Sequence, residues 1–381
     1  MQWQIPLSDI DLGVEEETVV RDVIKSRWLT MGEITQAFEQ EFAEYNNVAH
    51  SVAVANGTAA LHLACVAAGL GPGDEVILPA LTFVATANAI RYTGATPIFA
   101  DIVSEVDLNI SPDAIEDLIN NKTRAIMVMH YGGYACDMTR ILEIANRSNL
   151  LVIEDAAHSP GSELDGKKLG TLGDIGCYSF FSNKNMITGE GGMIVTNDNM
   201  LAEKTRTLRS HGMTALTWDR YKGHAWSYDV VDLGFNYRMD EIRAAIGRVQ
   251  LKKLEKNNTK RQELTHHYHT LFIKLVPVVT IPFHEYRGKS SCHILPILLP
   301  EGIDRNQFME KMKEIGIQTS IHYPPIHQFT AYKDRFDRFQ ESLPITENVA
   351  SREVTLPLFP TLTKSQVELV VHVAIESLEA I

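Results

Sequence analysis

Between residues 50 and 200, short apolar runs alternate with longer stretches whose apolar residues recur at helical spacing. Residues 50–55, 75–79, 96–101, 124–129 and 150–155 read as strands. They are rich in Val and Ile and do not alternate with polar residues, so each is expected to be buried on both faces. Residues 58–68, 85–92 and 137–148 read as helices. A further helix opens at Ser111-Pro112, where serine caps and proline takes the first helical position. Strand and helix alternating at this spacing predict parallel strands joined by crossover helices. Residues 175–181 and 193–196 add two apolar segments joined by a glycine-rich turn. Residues 33–46 form a helix whose Phe38, Phe42 and Tyr45 make a core stripe.

After Met239 the pattern changes. Residues 240–273 read as one long charged helix with Ile242, Ile246, Val249 and Leu254 near one face. Strands are expected at 278–281 and 293–299. Two helices follow with starts like a capping box, Asp304 with Gln307 and Thr363 with Gln366. The expected organisation is a large α/β domain over 1–260 and a smaller α+β domain over 261–381. Roughly the first 15 residues are expected to pack back on the smaller one.

Composition narrows the function classes. The 381 residues carry a net charge of −13, which argues against a nucleic-acid partner. An anionic small molecule remains compatible, because a local pocket can oppose the global sign. No apolar run reaches the roughly 18 residues of a membrane span. The start, Met1-Gln2-Trp3-Gln4-Ile5-Pro6, lacks a basic segment before an apolar core, so no signal peptide is expected. Cys65, Cys136, Cys177 and Cys292 are scattered without a CxxC, which fits reduced thiols in a cytoplasmic protein and no metal site.

Three segments carry candidate chemistry. Asn56-Gly57-Thr58-Ala59 ends a strand and opens a helix, where free backbone N–H groups suit a phosphate and Asn56 suits a plain cap. Glu154-Asp155-Ala156-Ala157-His158 ends another strand, the edge at which open α/β sheets bind ligands. A carboxylate there either holds a heteroaromatic nitrogen protonated or caps the next turn. Lys184 lies between two apolar strands. Burial would lower its proton affinity and make its amine a nucleophile towards carbonyls, whereas a turn lysine would simply reach water. Phe83 opens the element after a third strand and either stacks on a bound ring or joins the core. Gly69-Leu70-Gly71-Pro72-Gly73 follows a helix and precedes a strand, the wrong order for a dinucleotide loop, and reads as a helix-ending turn. A phosphate cradle, an acid and a lysine at successive strand ends together match a pyridoxal phosphate site.

These motifs resemble the DegT family of fold-type I, pyridoxal phosphate-dependent sugar aminotransferases. The likeness runs over nearly the whole chain. It includes Trp28-Leu29-Thr30-Met31-Gly32, Thr82-Phe83-Val84-Ala85, the segment from Ser179-Phe180 to Gly192, Gly234-Phe235-Asn236-Tyr237-Arg238-Met239 and His322-Tyr323-Pro324-Pro325-Ile326-His327. The resemblance implies a mostly parallel central sheet flanked by helices, with a smaller α+β C-terminal domain. It implies that Lys184 forms a Schiff base with pyridoxal 5'-phosphate and that Asp155 pairs with the pyridinium nitrogen. Phe83 would stack on the ring, and His158 would lie near the phenolic oxygen. Gly57, Thr58 and Ser179 would hold the phosphate. Asn236 would reach the phosphate of a second subunit, so a homodimer with shared active sites is implied. Thr30, His322, Tyr323 and His327 match segments bordering the substrate.

The reaction implied is transfer of an amino group from L-glutamate to a 3-keto or 4-keto hexose linked to a nucleotide. Some relatives carry histidine at the lysine position and act as dehydratases; the lysine here favours transamination. A keto-cyclitol acceptor is the rival enzyme reading, and a cofactor-binding sensor without catalysis is the rival of another class. The pyrophosphate of a nucleotide sugar calls for a cationic or amide-lined groove. Residues 209–222 and the surroundings of Arg238 are the sequence's candidates for that charge.

Overall fold

The computed structural model describes residues 3–214, 227–333 and 342–381. In chain order the first part contains α1 (Val14–Ser26), α2 (Glu33–Asn46), β1 (His50–Val54), α3 (Gly57–Ala67), β2 (Glu75–Pro79), α4 (Val84–Tyr92) and β3 (Thr96–Ala100). Then come α5 (Pro112–Leu118), β4 (Thr123–Met129), α6 (Met138–Ser148), β5 (Leu151–Asp155), a small hairpin of β6 (Glu163–Leu164) and β7 (Lys167–Lys168), β8 (Ile175–Ser179), β9 (Gly192–Thr196) and α7 (Asn199–Arg209). Seven strands form one sheet in the order β1-β9-β8-β5-β4-β2-β3. Alternate residues of each strand serve opposite layers. Val76 and Leu78 pack with α3 and α4, whereas Ile77, Ile126 and Val128 pack with α5 and α6. Burial on both faces is what the unbroken apolar strands require.

The sheet is mostly parallel, as expected, with one strand reversed. β9 runs antiparallel to both β8 and β1. The connection from β8 to β9 is a loop without a helix, so the chain returns along its neighbour instead of crossing the sheet. Because β1 and β8 both oppose β9, their carboxyl ends still lie at one edge with those of β5 and β4.

The second part begins with α8 (Glu241–Leu275), followed by β10 (Leu295–Leu298), α9 (Arg305–Glu314), the short α10 (Thr330–Lys333), α11 (Pro344–Arg352), β11 (Glu353–Leu356) and α12 (Lys364–Glu379). Residues 278–281 are not a strand; only Thr280 bridges, to Leu298. Asp304 accepts from the N–H groups of Asn306 and Gln307, but Gln307 reaches the Asp304 side chain and not its backbone. Thr363 and Gln366 complete a reciprocal box. On α8, Ile242 and Ile246 are only half-buried, while Ala244 and Gly247 are buried. A Cβ at Gly247 would lie 2.7 Å from the Phe38 ring, so close approach of α2 selects small residues on that face. The N-terminal segment lies against this part: Gln4 and Ile5 donate to the Gly316 carbonyl, and Leu358 donates to Leu7.

The start of α2 depends on α8. Gly32 at its N-cap has no side chain, and Glu241 supplies the acceptors. Its buried carboxylate takes the N–H groups of Gly32, Ile34 and Thr35 at 2.8, 2.9 and 2.9 Å and the Thr35 hydroxyl at 2.6 Å. Glu241→Ala strands these donors and is expected to lower stability by about 2–3 kcal/mol. Urea midpoints at fixed protein concentration measure this, and a change below about 0.5 kcal/mol would refute the capping role.

Candidate active site

β4, β5 and β8 end side by side, with Met129 opposite Asp155 and Asp155 opposite Cys177. Their ends, the starts of α3 and α4, the β8–β9 loop and residues 320–323 enclose a cavity of about 600 Å³. Gly57, Thr58, Phe83, Asp155, His158, Ser179, Lys184, His322 and Tyr323 all line it. The sequence-predicted residues are thus brought together, with three exceptions. Thr30 and Asn236 are exposed and outside this cavity. His327 is buried elsewhere, with Nε2 3.0 Å from Glu347 and its ring beside Phe99.

The cradle is built by helix geometry. The first N–H groups of a helix lack intrahelical partners. Asn56 Oδ1 takes that of Ala59 at 2.8 Å, and the Asn56 carbonyl takes that of Ala60. Asn56 caps the helix, and Gly57 and Thr58 lie at the cavity wall, so capping by Asn56 does not exclude a phosphate there. A Cβ at Gly57 would lie 2.7 Å from the Ser179 Cβ, and one at Gly192 would lie 2.9 Å from the Gly57 nitrogen. Glycine at both positions lets the helix start sit against β8 and β9 and brings the Ser179 hydroxyl alongside.

Asp155 is 4% exposed. Its carboxylate accepts the Thr86 hydroxyl at 2.8 Å and the Ala157 N–H at 3.1 Å. Burial pushes its carboxyl up, against the hydrogen bonds from Thr86 and Ala157 and the charges of Lys184 and His130. Thr86 lies one helical turn after Thr82, whose hydroxyl is 3.0 Å away. This threonine pair was missed in the sequence; its i, i+4 spacing at the start of α4 was the available signal.

Lys184 is held by its loop. Phe180, Met186 and Ile187 are buried anchors, and the Lys184 N–H donates to the Phe181 carbonyl. Next to it, Asn185 donates to Asn258 and to the Ser291 carbonyl, both at 2.8 Å, and contacts Nδ1 of His293 at 2.9 Å. Loss of hydration lowers the Lys184 ammonium to about 8, against the pull of the Asp155 carboxylate. His158 is 3% exposed. Its Nδ1 accepts the Gly132 N–H at 3.2 Å, so the neutral ring carries its proton on Nε2, 2.9 Å from the Tyr323 hydroxyl. Burial, then the charges of Lys184 and His322, hold His158 well below the usual histidine range.

Phe83 is 55% exposed, with its ring centroid 5.8 Å from that of Tyr323. Among the described lining residues Lys184 is the sole lysine or arginine. Arg209 cannot supply a second: it is 3% exposed and ion-paired with Glu39. Arg238 is half-buried and outside the cavity, and residues 215–222 of the other candidate segment lie outside the described residues.

The arrangement predicts a titration. In the chain without bound cofactor, acylation of Lys184 by an amine-selective reagent, followed by peptide mass spectrometry, should rise with pH and level off above about 8. Asp155→Asn removes the opposing attraction, so the inflection should move to lower pH. An inflection near the ordinary lysine value in the unaltered chain would refute a desolvated amine.

Comparison with known proteins bears on this site. The spore coat polysaccharide biosynthesis protein SpsC of Bacillus subtilis (strain 168) is 39% identical over 377 residues, covering 98% of this chain and 95% of that one. GDP-perosamine synthase of Escherichia coli O157:H7 is 38% identical over 367 residues, covering 95% of each. Among solved structures, Helicobacter pylori PseC, an aminotransferase involved in the biosynthesis of pseudoaminic acid, superposes with a TM-score of 0.91 at 30% identity over 100% of both chains. The family model matches residues 11–374, and the chain belongs to the DegT/DnrJ/EryC1/StrS aminotransferase family.

Proposed function

We propose that the chain transfers an amino group from L-glutamate to the keto group, at C3 or C4, of a hexose linked to a nucleotide. The observation that carries this reading is the meeting of Lys184, Asp155 and the Gly57–Ser179 cradle in one cavity. Aminotransferases of this family depend on pyridoxal phosphate. The residues present fit that group. A desolvated amine, a buried carboxylate and free helix N–H groups face the same space, and the glycines at 57 and 192 keep the cradle clear of side chains. When bound, the cofactor supplies an electron sink for the negative charge that develops at the donor and acceptor carbons.

The chain supplies the rest. Gly57 and Thr58 N–H groups and the Ser179 hydroxyl hold the phosphate. Asp155, whose carboxylate accepts from Thr86 and Ala157, would hold a proton on the ring nitrogen. Phe83 would cover one face of the ring, and neutral His158 would lie beside it. Lys184 Nζ would hold the cofactor, and its amine would serve as the base and acid that moves a proton at the reacting carbon. His322 and Tyr323 would face the substrate; Thr30 and His327 lie outside the cavity. GDP-perosamine synthase carries a nucleotide sugar in its name, which supports that acceptor class here.

The reading includes a homodimer. A pyrophosphate calls for a cationic or amide-lined groove, and among the described residues lining the cavity Lys184 is the sole lysine or arginine. Tyr228, Val230, Val231 and Leu233 expose apolar side chains on one segment, with Leu233 84% exposed, and Asn236 follows it. A second copy covering this segment would bury it and bring Asn236 to the neighbouring phosphate.

Two experiments test this. Glutamate with a panel of keto-sugar nucleotides and keto-cyclitols should give aminated sugar nucleotides, and Lys184→Ala should reduce turnover by about 10³-fold or more. Turnover retained by that variant would refute the role of Lys184; amination of cyclitols alone would replace the acceptor class; no conversion of glutamate would favour a sensor. Co-expressing Lys184→Ala with Asn236→Ala subunits should restore about a quarter of wild-type activity if sites are shared between copies. Absence of restoration would place Asn236 in its own chain's site.

A further inference from the structure

Glu353 opens β11, fully buried behind the segment that carries His322 and Tyr323. One of its oxygens accepts the His322 backbone N–H at 2.8 Å, and the other accepts the Thr355 hydroxyl at 2.5 Å. A Thr355 oxygen that donates to Glu353 has only lone pairs left, and Nδ1 of His322 lies 2.9 Å from it. That nitrogen then carries the ring proton, and Nε2 is left as an acceptor. The neighbouring residue has the opposite polarity. Gly132 fixes the His158 proton on Nε2, which donates to the Tyr323 hydroxyl and leaves that hydroxyl free to donate its own proton. Residues 322 and 323 therefore offer an acceptor and a donor side by side, a match for a sugar hydroxyl.

We propose that Glu353, acting through Thr355, is a positioning residue that decides whether His322 accepts or donates a hydrogen bond in the cavity. This rests on the reading of His322 as facing substrate. With Glu353 ionised, His322 accepts at Nε2. When the carboxylate takes a proton, one proton enters at His322 Nε2, the Nδ1 proton passes to the Thr355 oxygen, and the hydroxyl proton passes to Glu353. One proton is bound in total, and the ring stays neutral with its donor now facing the cavity.

The surroundings make this exchange accessible. Burial pushes the Glu353 carboxyl up to about 8, while the Thr355 hydroxyl, the His322 N–H and the charge of Arg305 pull it down. The phenols of Tyr131 and Tyr323 also face it, and both are held above their usual value, so they stay neutral. His322 is bordered by Lys184, His158 and His293. Burial and then Lys184 lower His322 to about 3, so near neutral pH it changes tautomer and not charge.

The test is long-range proton–nitrogen NMR of the histidine-¹⁵N-labelled holoenzyme, with His322 assigned by its loss in His322→Gln. The unaltered enzyme should change from Nε2–H to Nδ1–H as pH rises through about 8. In Glu353→Gln the amide oxygen must accept the His322 N–H, which turns the amide NH₂ towards Thr355. That variant should show Nε2–H at every pH. Thr355→Ser should keep the change and Thr355→Val should lose it. KM for the keto-sugar should follow the tautomer in each variant, with kcat moving less. A pH-independent tautomer in the unaltered enzyme, or Nδ1–H in Glu353→Gln, would overturn the proposal. A tautomer that follows Glu353 while KM does not would uphold the relay and remove only the substrate contact of His322.

Discussion

A strand turns successive side chains to opposite faces, and the end of β5 places two carboxylates under that rule. Glu154 and Asp155 are both buried and cannot share a partner. Glu154 is satisfied entirely within the fold. It contacts His130 Nε2 at 2.8 Å and accepts the N–H groups of Gly170, Leu172 and Gly173 at 2.7, 2.7 and 2.5 Å. These bonds tie the chain after β7 to the end of β5. Asp155, thrown to the other face, keeps only two partners and has the cavity before it. A buried ion with unused lone pairs is retained only where something else supplies the missing charge. The sheet thus holds one acid closed so that the next can be left open.

Lys184 is the counterpart of that opening. Its amine and the Asp155 carboxylate lose hydration in the same space, and each moderates the shift of the other. The three histidines nearby cannot add positive charge without raising the energy of the lysine. Burial keeps His158, His293 and His322 neutral, and each contacts a partner at Nδ1: Gly132, Asn185 and Thr355. They serve as oriented hydrogen-bonding groups beside one buried acid, Asp155, and one desolvated amine, Lys184, while the other acid lining the cavity, Glu190, is exposed.

The sheet was legible because its signals are local. Apolar runs, the Ser111-Pro112 start and the Asn56 cap each follow from a few adjacent residues. The antiparallel β9 was harder, since an apolar run has no direction; only the missing crossover helix between 180 and 191 indicated it. The cavity positions of Asp155, at a strand end, and Lys184, in the loop between two apolar strands, were legible from local pattern, whereas Ser179 was reached through the family resemblance. It was not legible for Thr86, Asn185 or Glu353, whose importance comes from distant partners: Asp155, Asn258 and His322. Residues 278–281 misled because apolar content alone does not provide a neighbouring strand to pair with.

The cavity is completed by residues that reach it from the second half of the chain, and the contacts show why they stay. Tyr131, just after β4, donates to the His322 carbonyl, Tyr323 meets His158, and the Ile326 N–H donates to Ala80. Asp101, just after β3, accepts the N–H groups of Ile345 and Thr346 at the start of α11. The apolar core crosses at the same place, since Leu81, Ile102, Met129 and Tyr131 pack in one cluster with Leu295, Val354 and Phe359. Moving the two halves apart would expose this core and strand those polar groups together. The geometry around His322 and Tyr323 is therefore set when the chain folds, and ligand binding has only to select among hydrogen-bonding states already in place.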